Sequence, residues 1–109
     1  MNTKIGPLQI AIILLTIATA AIHLSISIPD PGQNLLLLLN GVGYLVLLIA
    51  LFLPQLSRYH GLIRWGLILY TSATIIAWIV IGSRNTIGYT DKLIEVVLIV
   101  LLFIDMRRS

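Results

Sequence analysis

The sequence predicts an all-α protein, a four-transmembrane-helix antiparallel up-down bundle with both termini cytoplasmic. Three observations predict it. Of 109 residues, 59% are hydrophobic and only 10% charged, against roughly 25% charged in a soluble domain. That leaves too little polar surface to cover a globule in water. The apolar residues come in long blocks, not alternating or heptad patterns, and blocks of about 18 or more read as membrane spans. The links between blocks are short, which forces neighbouring helices antiparallel. A single transmembrane domain covers 1–109, with spans over about 5–28, 34–53, 62–81 and 88–105.

The first span ends at Pro29-Asp30-Pro31-Gly32, which cannot continue a helix. Lys4, the apolar run and Ala18-Thr19-Ala20 also resemble a secretory signal with its cleavage site; the segment is read as an uncleaved span. The second span stops at Pro54-Gln55 and the third at Gly82-Ser83. The fourth starts between Ile87 and Asp91, with Thr90 as the expected N-cap and Asp91 in the first turn. From Asp91 to Met106 it covers about 24 Å, short of the roughly 30 Å hydrocarbon core. Tyr89 and Arg107 are the anchors expected to make up the difference.

Orientation follows from the basic residues. Four spans put Lys4, Arg58, Arg64, Arg107 and Arg108 on one side and Arg84 and Lys92 on the other. That bias places both termini in the cytoplasm. The basic residues cluster at the ends of the apolar blocks, so the net charge of +3 carries no argument for nucleic acid. The chain has no cysteine, which excludes disulfides, thiolate metal sites, iron–sulfur clusters and covalently attached haem.

Polar groups in hydrocarbon are costly, so each needs a reason. His23, Asn40, Thr74 and Glu95 lie at similar depth toward one face, and one polar layer joining all four helices is expected. Glu95 lies about one turn into the fourth span. Its candidate partners are Lys92, one turn earlier, and His23 and Arg84 from elsewhere in the bundle; Asp91 would repel it. One reading is a proton relay or a polar contact for a ligand such as a quinone head group. The other is a structural ion pair that sets helix register, the commoner role. His23 continues a stripe with Thr16, Ala20 and Ser27 at helical spacing. A haem between His23 and the only other histidine, His60, is not expected, because His60 lies in the opposite link. A hydrogen bond across helices is the plainer role for His23.

Gly41 and Gly43 beside Tyr44 suit close helix packing. Trp65 and Trp78 sit near the ends of the third span, where indoles anchor at the interface. Arg58, Tyr59, His60 and Arg64 form a basic, aromatic link that suits anionic head groups or an acidic partner, or is simply a positive-inside loop.

The stretches Gly82-Ser83-Arg84-Asn85-Thr86-Ile87-Gly88-Tyr89-Thr90-Asp91-Lys92-Leu93-Ile94-Glu95, Ala21-Ile22-His23-Leu24 and Leu39-Asn40-Gly41-Val42-Gly43-Tyr44 resemble small uncharacterised four-helix membrane proteins of bacteria and archaea. The resemblance implies the architecture. It also implies that His23, Asn40, Arg84, Asp91, Lys92 and Glu95 matter to that group, without assigning them a chemistry.

The function expected from these features is that of a non-catalytic accessory subunit of a larger integral membrane complex, respiratory or photosynthetic, partnered by membrane lipids and other integral membrane subunits. Small residues on several sides of the first helix (Ala11, Thr16, Ala18, Thr19, Ala20, Ala21) are expected to help dock it. The alternative is a small proton-coupled transporter or channel-like oligomer using Glu95 and His23. No catalytic residue, metal or cofactor is expected, because too few acid, base or nucleophile groups converge to name a reaction.

Overall fold

The computed structural model describes residues 6–28, 35–81 and 85–108. Among them every regular element is helical. Four α-helices follow in order: α1 (Pro7–Ser27), α2 (Leu35–Phe52), α3 (His60–Ile81) and α4 (Thr86–Arg108). A 3-10 turn, Pro54–Tyr59, joins α2 to α3. Three helical stretches, 7–27, 35–52 and 54–80, are long and apolar enough to cross a membrane.

α1 begins as its sequence dictates. Pro7 stands at the first helical position, where its missing N–H costs nothing. The Gln9 side chain turns back to accept the Gly6 N–H at 2.9 Å. α1 packs on α2 and α4, and α3 packs on the same two helices, so the four form a square in chain order. Side-chain contacts run antiparallel around it. Asn40 meets Thr74, and the backbone of Leu51 meets His60. Thr19 meets Asp91, and Gln9 meets Asp105.

Close approach of α1 and α2 depends on Gly41. A Cβ there would lie 2.8 Å from the Leu24 side chain and 3.0 Å from the Ala20 carbonyl. Gly43 makes room for a side chain instead. Its missing Cβ leaves the place where the Tyr70 hydroxyl sits and donates to the Asn40 carbonyl at 2.8 Å.

The fourth helix differs from its sequence reading. Thr90 is inside the helix and does not cap it. The cap is Asn85, whose Oδ1 accepts the Gly88 N–H at 2.7 Å while its carbonyl accepts from Tyr89. Asparagine at that position satisfies an orphan donor of the first turn. α4 is therefore 23 residues long, about 34 Å, and exceeds the thickness of a hydrocarbon core. Asp91 leaves the first turn, and Glu95 moves from one turn deep to about 13 Å from the helix start. Lys4, Arg84 and the Pro29–Gln33 link lie outside the described residues.

Candidate functional site

α4 presents Asp91, Glu95, Leu98, Leu102 and Asp105 to the bundle interior. Their spacing of four, three, four and three is the seam of a helix packed against neighbours. The seam carries carboxylates at both ends and leucines between. Each end gathers a polar layer.

The larger layer surrounds Asp91 and Glu95. Glu95 is fully buried. Tyr44 of α2 reaches across the square and donates to its Oε2 at 2.6 Å. Lys92, one turn earlier, donates to its Oε1. The same ammonium lies 3.2 Å from Asp91 Oδ2, so it bridges the carboxylates that would otherwise repel each other. Asp91 Oδ1 accepts from Thr19 of α1 at 2.5 Å. The hydroxyls of Thr71 and Thr74 lie against the Tyr44 oxygen from α3, and Asn40 Nδ2 donates to Thr74 at 2.9 Å. All four helices thus contribute.

His23 completes the layer. Its Nδ1 lies 2.7 Å from the Thr19 carbonyl. A carbonyl only accepts, so Nδ1 carries the hydrogen there. Its Nε2 faces Asp91 Oδ2 at 3.5 Å. In a neutral imidazole with the proton on Nδ1, that would set one lone pair against another. A further proton between Nε2 and Oδ2 turns the contact into a charge-assisted hydrogen bond. Charge leads to the same place. Among the described residues Asp91 and Glu95 have Lys92 between them as a fixed cation, and one more proton balances these three charges.

The smaller layer lies at the other end of α4. Asp105 Oδ1 accepts from Gln9 of α1 at 2.7 Å, and Oδ2 accepts from Arg64 of α3 at 2.9 Å. His60 Nδ1 donates to the Leu51 carbonyl at 2.8 Å, with Nε2 3.8 Å from Asp105 Oδ2. Here one carboxylate meets one guanidinium, and the charges balance. Between the layers lie the buried side chains of Ile12, Leu51, Leu67, Leu98 and Leu102.

Of the residues singled out from sequence, Asn40 and Thr74 touch directly, and Lys92 touches Glu95. His23 is paired with Asp91, not Glu95. Asp91 is a member of the layer and not merely a repelling neighbour. Arg84 lies outside the described residues. The basic link separates into two parts: His60 and Arg64 are buried against Asp105, while Arg58 and Tyr59 are exposed. The reason is local, since α3 starts at His60 and a four-residue step puts Arg64 on the same inward face. Sequence reasoning passed over Thr19, Tyr44, Gln9 and Asp105. The signal was present in Asn40 and Tyr44, four apart on one face, and in the seam that links Glu95 to Asp105.

One nitrogen of His23 and oxygens of Asp91 and Glu95 lie within 4.8 Å of one another, a grouping that could hold a small cation. In this arrangement the Lys92 ammonium bridges the two carboxylates. Comparison of the chain with protein-family models, curated proteins and solved structures returned no match.

Proposed function

We propose that all four helices cross the membrane and that the chain is a small proton-coupled transporter, acting alone or as a channel-like oligomer. His23 and Asp91 hold the exchangeable proton, and Lys92, Glu95 and Tyr44 set the charge and geometry around it. The observation that carries this reading is the charge count around His23 and Asp91, two carboxylates and one lysine among the described residues, with His23 Nε2 facing Asp91 Oδ2 at 3.5 Å. A purely structural pair has no such imbalance, as the Asp105–Arg64 end illustrates.

Membrane insertion of α4 is supported by where its charges point. Asp91, Lys92, Glu95 and Asp105 face inward, and Ile87, Leu93, Val96, Val100 and Phe103 face outward. Aromatic pairs join α3 and α4 near both ends, Trp65 with Phe103 and Trp78 with Tyr89. The two indoles are about 20 Å apart along the helix, at levels that suit the two interfaces. Arg58, Arg107 and Arg108 are exposed at one end, which favours that end, and both termini, in the cytoplasm. Single cysteines at Gln55 and Asn85, in a chain that has none of its own, should label from opposite sides of the membrane. Labelling from the same side overturns the four-span topology.

Proteoliposomes under an imposed potential test the transport reading. Wild-type protein should acidify the lumen faster than protein-free vesicles, Asp91→Asn and His23→Gln should slow this more than tenfold, and Arg58→Gln should not. Equal rates for wild-type and empty vesicles count against it.

A second reading, the accessory subunit of a respiratory or photosynthetic membrane complex, draws on the outer face of α1. Ala21 and Ser25 are exposed there and Ala18 half-buried. With Thr86 and Thr90 of α4, Ala21 and Ser25 line a shallow groove of about 330 Å³. Small residues allow close helix contact in lipid. Ala18→Leu with Ala21→Leu should then release the protein from its complex in mild detergent. Purification only as a monomer or self-oligomer excludes this reading.

A further inference from the structure

We propose that the end of the bundle formed by the 3-10 turn and the last turn of α4 binds the phosphate of an anionic phospholipid. Three arginines are exposed there: Arg58 on the turn, and Arg107 and Arg108 on α4. They share one end because His60, two residues after Arg58, faces Asp105, two residues before Arg107.

Among the described residues no acidic side chain is left to offer them a counter-charge. The chain has four acidic residues. Asp91 and Glu95 belong to the opposite layer. Both oxygens of Asp105 are engaged by Gln9 and Arg64. Asp30 belongs to the link after α1, outside the described residues. An external anion can supply the charge. Arginine forks match phosphate oxygens in pairs. The Arg58 guanidinium lies over the Tyr59 ring, 5.2 Å from its centroid, a stacking that leaves its N–H donors free for an anion.

What lies beneath the arginines selects a lipid over an acidic protein segment. Phe103, one turn before Arg107, packs edge-on against Trp65 at 5.8 Å, and both rings are exposed. Further along the same surface come Leu69 and Val100, also exposed. Cation, aromatic ring and aliphatic surface follow one another as phosphate, glycerol and acyl chain do in a phospholipid. The inference rests on the membrane reading above and is independent of proton binding.

Full-length protein in mild detergent, titrated with phosphatidylglycerol or phosphatidylcholine and read by native mass spectrometry, tests it. Each basic residue near an anionic surface is worth about fivefold in affinity. Wild-type should retain phosphatidylglycerol in preference to phosphatidylcholine. Arg58→Gln/Arg107→Gln/Arg108→Gln should lose about a hundredfold of that preference while its helical circular dichroism is unchanged. Should the triple variant fail to fold, the Arg→Lys triple, which keeps the charge and loses the fork, should show a weaker preference than wild-type. Equal retention of both lipids by wild-type overturns the proposal, as does undiminished preference in the variants. Capture of an acidic peptide without lipid preference overturns it in favour of a protein partner. A chain that stays in solution without detergent would instead refute the membrane reading itself.

Discussion

Two glycines show how differently one residue type behaves in a packed bundle. A methyl group at Gly43 would lie 2.1 Å from the Tyr70 hydroxyl oxygen, so Tyr70 must leave its bond to the Asn40 carbonyl. A methyl group at Gly66 meets nothing within 4 Å. Gly43→Ala is expected to destabilise the bundle by about 1–3 kcal/mol through overpacking, and Gly66→Ala to be tolerated. Unfolding in mixed micelles would measure both. The ionic layer gives a sharper contrast. Lys92→Met leaves Asp91 and Glu95 facing each other without their shared cation, and losing one partner of a buried pair costs about 3–5 kcal/mol. Adding Glu95→Gln removes one of the stranded charges, so the double variant should be more stable than Lys92→Met alone. Non-additivity in that cycle is the quantity to read. At this scale the sequence showed that Glu95 needs a partner near it and that Lys92 was within one helical turn. It did not show that Tyr44 would cross the square, because contacts between opposite helices depend on how each helix is rotated about its axis.

Helix boundaries were legible where proline sets them. Pro29 and Pro54 stop α1 and α2 within a residue or two of where the structure ends them. The start of α4 was not, because Asn85 and Thr90 are both good caps and both precede apolar residues. Asn85 prevails because its side chain reaches the Gly88 N–H, and the longer helix then reaches both polar layers. Asn85→Ala should cost about 1 kcal/mol and speed hydrogen exchange at the Gly88 amide, while Thr90→Ala should leave that amide protected. Equal effects of the two substitutions would place the cap back at Thr90. The buried seam of α4 was readable in principle as a four-three-four-three repeat. Its charged members hid it, since Asp91, Lys92 and Glu95 lower the apparent hydrophobicity of the helix although they point inward.

At the scale of the whole molecule, four helices enclose their polarity and present an apolar exterior. The two ends are built alike, a histidine with Nδ1 on a backbone carbonyl and Nε2 toward an aspartate of α4. Among the described residues only one of them is out of charge balance. Asp105 has Arg64, whereas Asp91 and Glu95 share Lys92. The proposed proton-binding role of His23 and Asp91 rests on that asymmetry, and His60 serves as an internal control. Among the described residues the groups facing His23 are Thr19 of its own helix, Tyr44 of α2, and Asp91 with Lys92 and Glu95 of α4. Nitrogen-15 NMR of histidine-labelled protein in lipid nanodiscs reads both rings separately, since the chain has only two histidines. His23 should carry its hydrogen on Nδ1 and show at Nε2 the signature of a hydrogen bond shared with Asp91, and Asp91→Asn should change the Nε2 signal without moving the signals of His60. A His23 Nε2 signal without that hydrogen bond, or one that Asp91→Asn leaves in place while the bundle stays folded, would contradict proton binding at this pair.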